Sequence, residues 1–188
     1  RMFRTTLALI LVIMPAAMVV AQDDATEVDP KYTWDLTEIY PTVEAWQQAR
    51  DEVLTSFEDI EARRGTLGDS ANSLYETLAL ISDTSRKAAR VSGYSSLNAD
   101  EDLRVTDTQE RRQLGQIMLS RFGEATAWMQ PEILRVGEED INAYIKEDER
   151  LQRFSFELAD SLRNAPHTLG DEAEETLAYF SQAFASPF

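Results

Sequence analysis

The chain of 188 residues carries 18 Lys and Arg against 34 Asp and Glu, giving a formal net charge of −16, and it contains no cysteine. This charge opposes binding to nucleic-acid phosphates and to anionic membrane surfaces, so nucleic acid is excluded as an expected partner. Disulfides, thiolate catalysis and cysteine–zinc sites are excluded as well. The length and a hydrophobic content of 43% suit one globular domain or part of a larger protein. The acids would attract cationic ligands, although acids spread along most predicted helices are also what a solvated exterior requires.

Residues 1–21 have the pattern of a secretory signal peptide. Two arginines among the first four residues precede an apolar stretch from Leu7 to Val20, and Val19-Val20-Ala21 offers a small-residue cleavage site. A membrane anchor is the alternative, but the stretch contains a proline and is shorter than the roughly 20 residues that span a bilayer. We therefore expect an exported protein, periplasmic or secreted, with no stable membrane anchor after signal cleavage. Residues 22–31 are predicted to be an acidic linker.

The segment from Tyr32 to Trp46 places large aromatic side chains just before the first predicted helix. Pro41 favours an extended conformation of the residue before it, and Thr42 can then cap a helix. Trp34, Tyr40 and Trp46 would each bury a large area, so we expect this opening segment to be fixed against the helices that follow.

Two long helices follow, each with apolar residues at helical spacing. The first is predicted over Thr42–Arg64 and the second from Asp69 or Ser70 to about Leu97. Their stripes are Trp46, Val53, Phe57 and Ile60 in the first, and Leu74, Leu78 and Ile81 in the second. The second helix is also rich in small residues, which favours the close approach of another helix, with a solvent-facing stretch as the alternative for some of them: Ala88, Ala89, Ser92, Gly93 and Ser95.

The acidic run Asn98–Asp102 resembles the start of an EF-hand calcium loop, because oxygen ligands alternate there. The remainder of the loop does not fit. Leu103 stands where the turn requires glycine, and Gln109 stands where a glutamate should close the site. We interpret these acids as a helix end and loop, with a salt bridge to Arg104.

The remaining apolar patterns are also helical. A third helix is predicted from a cap at Asp107 to about Pro131, and a short helix begins at the acidic run 138–140. Two further helices carry the stripes Leu151, Phe154, Leu158 and Leu162, and, after Gly170, Leu177, Phe180 and Phe184. No alternating strand pattern is present, so the predicted fold is all-α, with about six antiparallel helices and no sheet.

The sequence contains few residues that could form a catalytic or metal-binding site. His167 is the only histidine, so no zinc site with two or three histidines can be assembled from this chain. It lies in a predicted loop, where bonding to a carbonyl or an acid is expected rather than catalysis. We therefore assign no catalytic, cofactor-binding or metal residues to this chain.

Three blocks resemble the oligoendopeptidase F family of zinc metallopeptidases, which is related to the thimet-type oligopeptidases. They are Trp34-Asp35-Leu36-Thr37-Glu38-Ile39-Tyr40-Pro41, Tyr94-x-Ser96-Leu97-x-x-Asp100-Glu101-Asp102, and Pro166-His167-Thr168-Leu169 before an acidic helix. Gly170 departs from the helix cap expected after the third block. The blocks occur in the family's order and cover nearly all of the chain from Tyr32 onward.

The resemblance implies a multidomain, mostly helical peptidase whose later domain holds an H-E-x-x-H helix that binds zinc and activates water. This chain lacks that motif. We therefore expect residues 32–188 to be the amino-terminal lobe of a longer, secreted zinc endopeptidase, in an incomplete reading frame. Zinc and the short peptide substrates would belong to the intact parent, and the lobe would restrict its substrate channel. The alternative is a self-contained, exported acidic helical module that binds cationic peptides or a protein partner.

Overall fold

A computed structural model describes residues 34–164 together with Thr176, Tyr179 and Phe180. The predictions made for the signal peptide 1–21, the linker 22–31, Tyr32 and the 166–169 block with His167 lie outside the described residues. Of the last predicted stripe, Phe180 is described and is helical, whereas Leu177 and Phe184 lie outside. Every regular element in the described part of the chain is helical, as the apolar spacing predicted.

Three long helices form the first part of the lobe: α1 (Val43–Glu61), α2 (Ala71–Glu101) and α3 (Thr106–Thr126). Thr42 begins α1, since its hydroxyl accepts a hydrogen bond from Ala45 N, and the predicted stripe of Trp46, Val53, Phe57 and Ile60 is buried throughout. Helix α1 ends before Gly65, whose φ of +86° is the left-handed conformation that favours glycine. The stripe therefore supplies one wall of the core.

Close packing of α2 on α3 confirms one part of the small-residue prediction. Ser70 caps α2, and α2 extends to Glu101, four residues beyond the predicted end. A Cβ on Gly115 of α3 would lie 2.6 Å from Ser95 Oγ and 3.5 Å from Ser92 Cα, so the contact requires glycine there. Gly93 makes no such approach and Ala89 is exposed, so the prediction was wrong for these two residues.

The predicted third helix was wrong at both ends. Helix α3 begins after Val105 with no side-chain cap, and Asp107 lies in its first turn instead. It ends at Thr126, where the indole N–H of Trp128 donates to Ala125 O at 2.7 Å and satisfies a carbonyl of the last turn. A separate helix, α4 (Met129–Val136), begins there with Pro131 in its first turn, where the missing N–H costs no helical bond.

Two more α-helices lie between Glu138 and Arg163. Helix α5 (Glu138–Glu147) follows Gly137 and has the predicted acidic first turn. The next predicted helix is divided, because Glu149–Phe154 is a 3-10 helix and α6 (Ser155–Arg163) begins after it. No helix in the described ranges is both long enough and apolar enough to cross a membrane.

Candidate functional site

The opening segment confirms the predicted burial of Trp46. This side chain is fully buried, and its indole N–H donates to Val91 O at 2.9 Å. Its ring stacks on Tyr94 with centroids 6.4 Å apart, and Tyr40 meets the same Tyr94 edge-on at 5.5 Å. Burial also raises the pKa of the Tyr40 hydroxyl. The three aromatic rings join the start of α1 to the last third of α2.

Trp34 was expected to be buried as well, and this was wrong because the residue is 51% exposed. The main chain around it is nevertheless fixed. Trp34 N donates to Glu101 Oε1 at 3.1 Å, and Arg90 donates to Ile39 O at 3.2 Å. The segment therefore lies along α2 through backbone contacts and through Tyr40, while the Trp34 ring faces outward. The structure thus brings the first and second resembling blocks together.

Two acids at the end of α2, Asp100 and Asp102, pair with arginines, as predicted for Arg104. Asp102 Oδ1 accepts from Arg104 N at 2.9 Å and from Arg104 Nε at 3.0 Å. These bonds lower the pKa of Asp102 to about 2. Asp100 pairs with Arg112 of α3. The run therefore closes the turn between α2 and α3, which accords with its interpretation as a helix end.

Sequence reasoning missed Glu132, a carboxylate with 4% exposure in α4. Its Oε2 accepts from Gly65 N at 2.7 Å and its Oε1 from Leu67 N at 2.8 Å. A buried carboxylate is stable only when hydrogen-bonded, and these two backbone donors satisfy both oxygens. Glu132 therefore ties α4 to the connection between α1 and α2. The only signal in the sequence is an acid flanked by Pro131 and Ile133, both of which are buried.

The described residues form surface depressions that could accommodate ligands. A polar groove of about 740 Å³ is lined by residues of α1 and by one lysine of α2: Glu44, Gln47, Gln48, Asp51, Glu52, Thr55, Ser56 and Lys87. A smaller one of about 310 Å³ lies between α5 and α6, around Ile141, Ile145 and Leu162. The first is acidic overall, although Arg50 approaches Asp51 at 2.7 Å and neutralises part of that charge. The hydroxyls of Thr55 and Ser56 in the first depression donate to main-chain carbonyls of α1, and the hydroxyl of Ser155 in the second donates to Gln152 O.

A zinc site of the kind implied by the resemblance does not fit the described part of the chain. Residues 34–164 and the three later helical residues contain no group of three or more His, Cys, Asp or Glu side chains that could hold a metal ion. His167 lies outside the described residues, and the sequence has no second histidine to join it. We therefore derive no catalytic step from this chain.

The chain is similar in sequence to known oligopeptidases. The family model described as Oligopeptidase F matches residues 132–188. The Group B oligopeptidase PepB of Streptococcus agalactiae serotype III (strain NEM316) is 30% identical over 87% of this chain and 27% of its own length. Oligopeptidase PepF of Bacillus subtilis (strain 168) is 29% identical over 87% of this chain and 24% of its own length.

The crystal structure of oligoendopeptidase-F from Enterococcus faecium superposes with a TM-score of 0.70 at 24% identity, covering 76% of this chain and 28% of that one. This likeness shows a shared fold. The chain spans about a quarter of the length of the curated relatives it matches. The sequence similarity of the chain is to the oligoendopeptidase F family, and it matches the amino-terminal part of those proteins.

Proposed function

We propose that the intact protein is an exported, zinc-dependent endopeptidase that hydrolyses short peptides, and that this lobe restricts which substrates reach the catalytic site. The observation that carries the proposal is the match of 87% of the chain to proteins named oligopeptidases. Zinc would be bound by a later part of the intact polypeptide, because this sequence holds a single histidine. The pattern of residues 1–21 supports export.

The contacts of the lobe suit a restricting role. A channel that selects substrates by size requires a rigid wall, because a flexible wall would also admit larger substrates. Trp46 of α1 is hydrogen-bonded to α2, and α3 packs closely on α2 at Gly115. Glu132 of α4 is hydrogen-bonded to the connection between α1 and α2. Close-packed helices of this kind deform little. The lobe would therefore contribute shape to the channel, while the chemistry would come from the zinc domain.

The test uses protein made from the complete reading frame, supplied with zinc. Quenched peptides of increasing length and an unfolded protein serve as substrates, with and without a chelator. We expect chelator-sensitive cleavage of the short peptides and little cleavage of the unfolded protein. Glu132→Ala, which loosens the lobe, should raise the relative rate on longer substrates, and exposed Glu58→Ala is the control. Equal rates at all lengths in the unaltered protein would contradict the restricting role.

A binding module is the second candidate, favoured by the acidic groove along α1. Glu44, Asp51 and Glu52 line this groove, which a Lys-rich peptide would complement in charge. The 188-residue chain can be titrated with such a peptide at low and physiological salt. The peptidase proposal expects only weak, salt-sensitive binding, because exposed charges are screened. Tight binding at physiological salt that is lost in a triple Gln variant of these acids would favour the module.

A further inference from the structure

Three exposed apolar side chains lie at one end of the lobe, where α2 turns into α3. Trp34 is 51% exposed, Leu103 68% and Val105 42%. The hydrogen bond from Trp34 N to Glu101 Oε1 ties the Trp34 main chain to the last residue of α2, two residues before Leu103 and four before Val105. We call these three residues the tip patch. Single exposed apolar residues are ordinary, but a cluster of large ones marks a surface that another surface covers.

The tip patch is held in a fixed conformation by its polar neighbours. Asp102 accepts from the main chain and the guanidinium of Arg104, so the turn presents Leu103 and Val105 outward. Gln109 Nε2 donates to Ala99 O at 3.1 Å, which ties the turn to the end of α2. A surface whose backbone is already ordered loses less entropy when it docks. The tip patch can therefore bind another surface without changing its own backbone conformation.

We propose that the tip patch is the contact through which this lobe docks on the rest of its own polypeptide. This inference rests on the proposed function, in which a catalytic part follows the lobe. The relatives are about four times as long as the matched region, since the chain spans 27% of one and 24% of another. A lobe that shapes a channel in such a protein must be held against the remainder by at least one fixed contact. The tip patch combines apolar area with fixed geometry.

The charge around the tip patch indicates the charge expected on the surface that covers it. Asp35, Glu101 and Asp107 are exposed at this end, whereas Arg104 is bonded to Asp102. The rim is therefore acidic. Its complement is an apolar surface with Lys or Arg at the edge, because opposite charges at a rim favour one partner and orientation.

Hydroxyl-radical footprinting read by mass spectrometry tests the docking directly. The 188-residue chain and the intact protein are compared side by side. Oxidation of Trp34 and Leu103 should fall several-fold in the intact protein, while oxidation of Leu119, which is 40% exposed on α3, should stay the same. Equal oxidation in both proteins would overturn the proposal. Protection that rises with the concentration of the 188-residue chain, or that requires added peptide, would also overturn it and assign the patch to a second copy or a ligand.

A substitution separates docking from folding. Leu103→Asp should leave the urea midpoint of the 188-residue chain unchanged, because its side chain is 68% exposed. In the intact protein it should restore oxidation of Trp34 and increase proteolytic release of the lobe several-fold, whereas Leu119→Asp should do neither. Unchanged release would refute the inference. An intact protein that cleaves peptides while Trp34 stays fully oxidised would refute docking and keep the peptidase assignment.

Discussion

Removing the buried carboxylate of Glu132 should destabilise the lobe more than any exposed acid does. In Glu132→Ala the N–H of Leu67, a fully buried residue, loses its acceptor, whereas water can reach Gly65, which is exposed. A stranded buried donor costs about 1–3 kcal/mol, and a lost bond to a charged acceptor costs about 1.5–3 kcal/mol. We expect a total loss of about 2–4 kcal/mol, a large share of the roughly 5–15 kcal/mol typical of a domain.

Urea unfolding of the 188-residue chain measures this loss. With a slope of about 2 kcal/mol per molar, the midpoint should fall by about 1–2 M. Glu132→Gln retains one acceptor oxygen and should lose about half as much. Glu58→Ala, an exposed acid of α1, is the control and should stay within about 0.5 kcal/mol. A Glu132→Ala midpoint equal to that of the control would refute the role of this carboxylate in joining α4 to the α1–α2 connection.

Three further predictions use single substitutions or pH. Trp46→Ala should lower the free energy of unfolding by about 3–5 kcal/mol in urea, because removing a fully buried indole leaves a cavity. Trp34→Ala in the 188-residue chain should change this free energy by no more than about 0.5 kcal/mol. Equal losses in the two variants would contradict the assigned burial. Gly115→Ala should destabilise the chain, because the added Cβ would meet Ser95 Oγ. In a Ser95→Ala background the same substitution should be neutral or should stabilise the chain by up to about 1 kcal/mol. A double-mutant cycle that shows no coupling between the two positions would exclude this contact. Asp102 has a folded-state pKa lowered to about 2, so its contribution to stability is complete above its usual pKa and is lost as pH falls toward 2; NMR titration showing a pKa near 4 would contradict the bonded turn.

The sequence was sufficient for the features that depend on local spacing. The stripe of α1 from Trp46 to Ile60 predicted its own burial, since residues at spacings of three, four and seven share one helical face. The cap at Ser70 is one of the two positions that local chemistry predicted, the other being Asp69. The all-α fold class required no more than this periodicity.

Features set by distant partners were not predictable in the same way. The apolar spacing of α3 continues through Trp128, so it did not reveal that the helix ends at Thr126. The end coincides with the hydrogen bond from the Trp128 indole to Ala125 O. Trp34 lies outside a regular helix, and its exposure depends on which side of α2 the segment follows. Glu132 looks like a surface acid in the sequence because its two donors lie 67 and 65 residues away. Burial of a polar side chain depends on such partners, which no local pattern encodes.

The central proposal is that this chain is the amino-terminal lobe of a zinc endopeptidase for short peptides. The most direct measurement is the hydrolysis of a quenched oligopeptide by the protein from the complete reading frame, alongside the 188-residue chain, before and after chelation and zinc return. The account predicts turnover by the complete protein that disappears with the chelator and returns with zinc, and no turnover by the 188-residue chain. Chelator-sensitive turnover by the 188-residue chain, or none by the zinc-loaded complete protein, would contradict it.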